Sequence, residues 1–560
     1  MRWRILKQIK RKNFRERQME IIQSLFFNRG LRGKKQQQEF LKPKDPSKLS
    51  PKEVGISPVQ LIKALKRIKL AIKNKEKVIV YGDYDTDGVC ATAIMWETLN
   101  ELGVEAMPFV PKREEGYGLK VERIDQMAKE GIKLIITVDQ GIVQNRQVDH
   151  ARKLGIDVII TDHHLPGEIK PKALAIIHTT QFAGAGVAWF LANWLLKHLR
   201  GEQKHLGGGV GLDLVTLGTV ADVVPLVGPN RSLVKFGIDK LRKTKRVGLL
   251  SLFDLAGIDK NNIRTYEIGF IIGPRINAAG RMDDPMDSLR LICTKDEKRA
   301  IDLAQKIDQK NRERQALTEK STLHAKALWL KQDGKSALIF VDHDSYPEGI
   351  VGLIASRLME EFYRPAIIVA RGKEWSRASA RSIEEFNIIE AIRACADIIG
   401  PHGGHPRAAG FSVETAKLSL IRERLIDSAE KSLDKEKLIP TLKIEVEINL
   451  DDVNFELYKK IEEFEPFGMG NPRPIFASRG AEIAEARLVG NGNQHLKLRL
   501  TSRPSSLTLS AIGFGMGNLY SQLSPEKPAD IVYELSLDQW NDQKKLQLKL
   551  KDLRVGKESD

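Results

Sequence analysis

Three short runs of β-branched and aliphatic residues, 77–81 (KVIVY), 133–138 (KLIITV) and 157–161 (DVIIT), each break off into a polar loop rich in acid or histidine. Apolar helical stretches alternate with them, beginning with 89–102 after the first run. Strands that are apolar on both faces and alternate with helices belong to a parallel sheet covered on both sides. In such sheets the chemistry collects in loops at the carboxyl ends of the strands. The pattern therefore predicts an α/β domain whose functional edge carries these loops.

The rest of the chain divides by texture. Residues 237–330 turn helical and charged, and 295–328 hold a long periodic pattern free of Pro and Gly, suited to a helix joining two lobes. A second α/β unit follows, with strands expected at 336–341 and 365–370 and a helix at 350–362. Beyond about residue 438 short alternating strands at 442–450, 495–500 and 531–537 suggest a small β-barrel. The expected organisation is an N-terminal extension (1–49), a parallel-sheet catalytic domain (50–236), a helical connector (237–332), a smaller α/β domain (333–437) and an all-β barrel (438–560). A length of 560 residues accommodates several cores.

Lys and Arg number 90 against 73 Asp and Glu, a net charge of +17 that favours a polyanionic partner. Within the first 42 residues thirteen Lys/Arg, including Arg2, Arg4, Lys7, Lys10, Arg11 and Lys12, face only Glu16, Glu20 and Glu39. No apolar h-region follows them, so they do not read as a secretory signal. A solvated tail or a docking helix is the expectation, ahead of a DNA-touching arm. No stretch matches a membrane span. Three widely spaced cysteines (Cys90, Cys293, Cys395) argue against a disulfide framework or a zinc site and suit a reducing cytoplasm.

Four motifs carry the chemistry. The first, 83–88 (DYDTDG), directly follows KVIVY and sets Asp83, Asp85 and Asp87 two residues apart. Three carboxylates in one tight loop repel one another unless cations lie among them, and hard divalent ions take such oxygen ligands. Taken alone, the same loop could be an Asp-rich helix cap. The second, 138–141 (VDQG), places Asp139 beyond another strand end. The third, 161–164 (TDHH), adds His163 and His164, imidazoles suited to manganese, iron or zinc. In the fourth, 219–222 (TVAD), Asp222 ends an apolar helix expected at 212–221, where a carboxylate opposes the helix dipole unless a cation is near. Independent caps do not supply this set to one edge of one sheet. The reading is a phosphoesterase using two divalent ions to activate water and stabilise the leaving oxygen.

In order and spacing, these four motifs resemble those of the DHH phosphoesterase superfamily. Within it the chain is similar to the RecJ family of single-strand-specific 5′→3′ DNA exonucleases. The likeness extends through 116–118 (GYG), 273–281 (GPRINAAGR), 311–315 (NRERQ), 403–405 (GGH), 408–411 (AAGF) and 466–472 (PFGMGNP). It implies that Asp85, Asp87, Asp139, His163 and Asp222 are metal ligands, with Asp139 bridging and Asp83 in the same group, and that the ions are Mn²⁺ or Mg²⁺. It sets His164 toward the scissile phosphate. Arg113, Arg281, Ser379 and Arg381 fall where the family gathers donors for the 5′ phosphate, and Gly403, Gly404 and His405 match the substrate-binding signature of the DHH-associated domain. The barrel resembles an OB-fold, and His495, Lys497 and Arg499 alternate along one of its strands.

The resemblance further implies release of mononucleotides, a role in DNA recombination and repair, and a cytoplasmic monomer. Its partners would be single-stranded DNA, with a single-strand-binding protein and a helicase as candidates. Gln140 stands where the family commonly has Asn, and 378–382 (ASARS) replaces glycines by alanines. Two alternatives compete: a DHH phosphodiesterase for short oligonucleotides or cyclic dinucleotides, which is usually shorter and lacks a barrel, and a non-catalytic single-strand-binding scaffold, in which ligands are usually lost.

Overall fold

The computed structural model describes residues 1–9, 13–200, 211–332, 334–502, 507–524, 527–540 and 543–555. Lys10, Arg11 and Lys12 of the basic N-terminal segment lie outside the described residues. Contacts divide the chain into a larger unit, Asp45–Val224 with Phe236–Pro440, and a smaller one, Met1–Lys44 with Pro225–Lys235 and Thr441–Asp560. Residues 225–235, counted above within 50–236, thus cluster with the barrel.

In the larger unit five parallel strands lie in the order Ala106–Phe109, Val78–Tyr81, Leu134–Val138, Asp157–Asp162, Ala175–His178. Val78–Tyr81 and Leu134–Val138 are buried at every position, as their unbroken apolar sequences require. Ile79, Tyr81, Ile135 and Ile160 point to one face and pack with Ile124, Met127, Val148 and Ala151 from the helices Val121–Lys129 and Asn145–Lys153. The other face is covered by Thr86–Glu101 and Gly184–Arg200, and Leu212–Ala221 packs on both of these helices. The expected apolar helix at 212–221 has those bounds.

The connector runs through the helix Val247–Leu255, a π-helical turn Glu267–Ile272 leading directly into Gly273–Met282, the helix Met286–Cys293, and then Glu297–Gln332. The last holds 36 residues, about 54 Å at 1.5 Å per residue. A second sheet follows, ordered Ile399–His405, Ala408–Glu414, Trp375–Arg381, Ala366–Ala370, Ile339–His343. Only its last pair is parallel, joined by the helix Glu348–Phe362. The hairpin Ile399–His405/Ala408–Glu414 was not anticipated, because its glycines carry no strand signal.

The smaller unit closes a five-stranded barrel from Ile475–Val489, His495–Thr501, Thr508–Gly513, Gln543–Val555 and Ala529–Trp540, the first pairing back with the last. The single strand expected at 442–450 is broken. Thr441–Ile444 pairs in parallel with Arg2–Ile5, Val446–Glu447 pairs with the barrel, and Leu450–Asp452 is a 3-10 turn. The break falls at Glu445, whose carboxylate takes both arms of Arg29 at 2.8 and 3.0 Å. The N-terminal segment is a docking helix rather than a solvated tail. Phe14–Asn28 buries Ile21, Leu25 and Phe26, which join Phe40 and Phe464 in the barrel core. Among the described residues no helix is long and apolar enough to cross a membrane.

Candidate metal centre and phosphate pocket

The 83–88 loop owes its shape to two glycines. A Cβ on Gly82 would lie 1.8 Å from Thr92 Oγ1, and one on Gly88 would lie 2.6 Å from both Asp83 Cβ and Asp83 O. Asp85 caps the helix Thr86–Glu101, accepting the Gly88 N–H at 3.0 Å, so the capping role foreseen for this loop is real and coexists with the acidic cluster. Asn277 braces the loop from the connector: its Oδ1 accepts the Thr86 N–H at 2.7 Å and the Thr86 hydroxyl at 3.0 Å.

Asp139 follows the strand Leu134–Val138 with φ 61°, in the left-handed region. His163 follows Asp157–Asp162, and Asp222 caps Leu212–Ala221. His163 Nε2 lies 3.1 Å from Asp139 Oδ1 and 3.6 Å from Asp222 Oδ2. Ligand atoms gather within 4.8 Å of one another in three groups: Asp83–Asp85–Asp139, Asp87–His163–Asp222 and Asp139–His163–His164. Asp139 belongs to two of these groups and His163 to two. Asp87 is aimed by the N-terminus of Gly184–Arg200, whose Gly184 and Ala185 N–H groups donate to its two oxygens at 2.6 and 3.0 Å.

Burial and mutual repulsion among the carboxylates govern the electrostatics of the cluster. Burial, reinforced by the neighbouring carboxylate of Asp85, pushes Asp83 up to about 8 and Asp87 up to about 7. Burial and Asp87 push Asp222 up to about 9, and burial and the surrounding aspartates raise Asp139 well above the usual carboxylate range. Burial, then the neighbouring His164, lowers His163 to about 4 and keeps it a neutral imidazole, the form that binds metal. Among the described residues Asp83 Oδ1 is buried with no hydrogen-bond donor, and Asp139 Oδ1 is buried with none but the His163 ring nitrogen at 3.1 Å. Buried carboxylate oxygens beside a neutral imidazole fit hard or borderline divalent cations such as Mn²⁺ or Mg²⁺.

His164 differs. Its Nδ1 lies 2.8 Å from Asp162 Oδ1 and 3.3 Å from the Tyr117 hydroxyl. Burial opposes its protonation, but the Asp162 contact prevails and raises its pKa. Asp162 in turn accepts N–H groups from Ile142, His163 and His164 at 2.9, 2.7 and 3.1 Å. Despite burial, the bond to the His164 ring and its charge, followed by the Ile142 and His164 N–H groups, keep it below the ordinary range. Asp162, Tyr117 and Asn277 were not singled out from the sequence, although they lie inside 161–164, 116–118 and 273–281. Their roles depend on turn geometry that the motif alone does not reveal.

Arg113, Arg281 and Arg381 form a second, cationic group. Arg113 lies over the Tyr84 ring at 4.4 Å, Arg281 Nη1 donates to Gly349 O at 2.9 Å, and Arg381 Nη1 donates to Ser379 Oγ at 3.2 Å. Burial, then Arg113 and Arg314, lowers Arg281 to about 10, and Arg381 adds to the effect. Among the described residues no carboxylate forms an ion pair with any of these three guanidiniums, so the arrangement suits a phosphate. Gly352 opens the space, since a Cβ there would meet Ser379 Oγ at 2.9 Å and Arg381 Nη2 at 3.0 Å. Gly403, Gly404 and His405 lie exposed on the hairpin of the second sheet.

Gln140 sits in the acidic edge without disturbing it: its amide donates to the carbonyls of Tyr81 and Gly82. In the smaller unit Lys497 and Arg499 line a groove of about 640 Å³ with Arg487, Lys544 and Lys545, floored by Leu498, Leu509 and Leu546. His495 lies outside that lining and packs on Phe514 instead.

Comparison with known proteins adds an independent line. Three family models match: the DHH family N-terminal domain over residues 77–219, the DHHA1 domain over 334–431 and the RecJ OB domain over 444–552. The single-stranded-DNA-specific exonuclease RecJ of Bacillus subtilis is 36% identical, over 99% of this chain and 71% of its own length. That of Escherichia coli is 31% identical over 94% of each. The crystal structure of RecJ from Thermus thermophilus in complex with Mn²⁺ superposes with a TM-score of 0.81 at 29% identity, covering 99% of this chain and 80% of that one. The same protein with Mg²⁺ gives 0.77 at 28% identity, over 99% and 79%.

Proposed function

The chain belongs to the RecJ family, and on that premise we propose that it is a metal-dependent exonuclease that shortens single-stranded DNA from the 5′ end and releases mononucleotides. The observation that carries the reading is the buried, donor-free Asp83 Oδ1 beside Asp139, whose Oδ1 meets only a ring nitrogen of His163, inside a cluster of aspartates raised by their own burial. Two divalent cations relieve that cost, held by Asp83, Asp85, Asp87, Asp139, His163 and Asp222. When bound they supply an activated water and charge stabilisation at the leaving oxygen.

The chain's own residues do the rest. His164, held by Asp162, presents its remaining nitrogen toward the site and orients the scissile phosphate. Arg113, Arg281, Ser379 and Arg381 take the terminal 5′ phosphate, which sets the direction of digestion. Gly403 and Gly404 let the strand backbone approach the hairpin closely, with His405 beside it. In the smaller unit the groove with Lys497 and Arg499 suits a single-stranded polyanion by itself. Three free cysteines support a reducing cytoplasm as the compartment.

The test uses a single strand labelled at its 3′ end, with Mn²⁺ or with EDTA. A ladder of shortening labelled products that EDTA abolishes is the expected result. Intact long strands together with cleaved di- to pentanucleotides would transfer the assignment to a short-oligonucleotide phosphodiesterase. Binding without any cleavage would make the chain a scaffold.

A further inference from the structure

The two most exposed aromatic side chains among the described residues, Phe270 at 71% and Tyr266 at 61%, lie against each other. Their ring centroids are 5.1 Å apart and their planes 27° from parallel. Tyr266 precedes and Phe270 belongs to the π-helical turn Glu267–Ile272, a rare geometry that recurs at functional sites. The opposite face of the turn holds Ile268 and Ile272, both fully buried. The turn is therefore firmly seated, and its rings face water by construction.

This turn adjoins the metal cluster. A Cβ on Gly269 would lie 3.8 Å from Val220, and one on Gly273 would lie 3.2 Å from Ala221; Asp222 is the next residue. The Gly273 carbonyl accepts the Thr86 hydroxyl at 3.1 Å, and the helix that continues the turn carries Asn277 and Arg281. A flat apolar surface kept in water beside an anion-handling site calls for a flat apolar ligand that arrives with a phosphate chain. Unpaired nucleobases meet that description, since each offers a π face. A duplex keeps those faces stacked inside itself.

We propose that Tyr266 and Phe270 form a stacking platform for unpaired nucleobases of the strand whose scissile phosphate is held at the metal cluster, and so contribute to single-strand preference. The proposal rests on the exonuclease reading above. It is tested with the full chain and 5′-phosphorylated single strands in which one abasic site is walked inward from the 5′ end. Binding is read in EDTA and shortening of the same strands in Mn²⁺. In the unmodified protein an abasic site at one or two positions should weaken binding about tenfold, the scale of one lost base–aromatic stack. Phe270→Ala should bind the intact strand correspondingly less tightly and lose that position dependence. Phe270→Trp should restore it and Phe270→Leu should not, with melting temperatures showing that every variant folds. An unmodified protein that shortens the strand without any sensitive position, or a Phe270→Ala variant that keeps the dependence, overturns the platform alone. An unmodified protein that neither binds nor shortens single strands overturns the exonuclease reading, and the platform with it.

Discussion

Asp139 holds a left-handed backbone conformation that a non-glycine residue keeps only when its surroundings over-determine it. Gly184 shows how tight those surroundings are, since a Cβ there would come within 2.3 Å of Asp139 Oδ1. Replacing Asp139 by Ala removes the carboxylate common to two of the ligand groups. Cleavage should fall by more than the ~10–100-fold typical of an outer partner of a metal site, while single-strand binding in EDTA persists. Loss of binding, or cleavage within tenfold of the parent, would remove Asp139 from the centre of the mechanism. Asp162→Asn tests the outer shell itself. It takes away the carboxylate that raises His164, so the limb of the pH–rate profile governed by His164 should move to lower pH and the rate should fall about 10–100-fold. An unshifted profile, read from initial rates on 3′-labelled strands, would deny Asp162 its orienting role. The aspartates and histidines of the cluster are legible as candidates because clustered carboxylates and paired imidazoles are chemically distinctive. Asp162 is not, because its neighbours in sequence overshadow it and only the folded turn turns it away from the cluster, onto three N–H groups.

At the scale of elements, strands and helices with unbroken apolar runs are readable to within a few residues, since burial on every face leaves the sequence no alternative. The long connector helix, expected at 295–328, extends to Glu297–Gln332 for the same reason of uninterrupted periodicity. Elements defined by partners are harder to read. The strand Arg2–Ile5 exists because Thr441–Ile444 lies beside it, and the 442–450 run splits because Glu445 turns to Arg29 from a distant part of the sequence. Close helix crossings are equally hidden, and the one at Gly218 can be tested. Its missing side chain lets Leu212–Ala221 approach Thr86–Glu101, and a Cβ there would stand 2.3 Å from Asp87 Oδ1 and 2.8 Å from Ala185 Cβ. Gly218→Ala should therefore cost about 1–3 kcal/mol in urea unfolding, the usual scale of overpacking. It should also reduce cleavage, because Asp87 is displaced from the Gly184 and Ala185 N–H groups. A stable and fully active Gly218→Ala protein would show that the crossing tolerates a methyl group and that Asp87 is not held by it.

For the whole molecule the informative contrast is between a net charge of +17 and a pocket of buried aspartates inside it. The positive field attracts a polyanion, yet it leaves the pocket's own repulsion uncompensated, as the raised values of Asp83, Asp87 and Asp222 record. That couples folding, protons and metal. A carboxyl raised in the folded state favours folding only while protonated. Its contribution is complete below the unfolded value of about 4 and is lost as pH rises through the folded values of about 8, 7 and 9. In EDTA the larger unit should therefore melt at progressively lower temperature between pH 5 and pH 9. Cations bind the ionised carboxylates, so in Mn²⁺ that decline should be largely absent, and the gap between the two melting curves should widen with pH. At a metal concentration a hundredfold above Kd the stabilisation is about 2.7 kcal/mol, large enough to read by calorimetry on the full chain. Protons displaced by the metal should appear as a buffer-dependent binding enthalpy that shrinks above pH 9, where the carboxylates are already ionised. Asp83→Asn with Asp222→Asn removes two of the raised groups and should flatten both the pH dependence in EDTA and the metal gap. A gap that stays constant from pH 5 to pH 9 would mean that the aspartates ionise without cost in the metal-free protein, and the cluster would lose its claim to be built around cations.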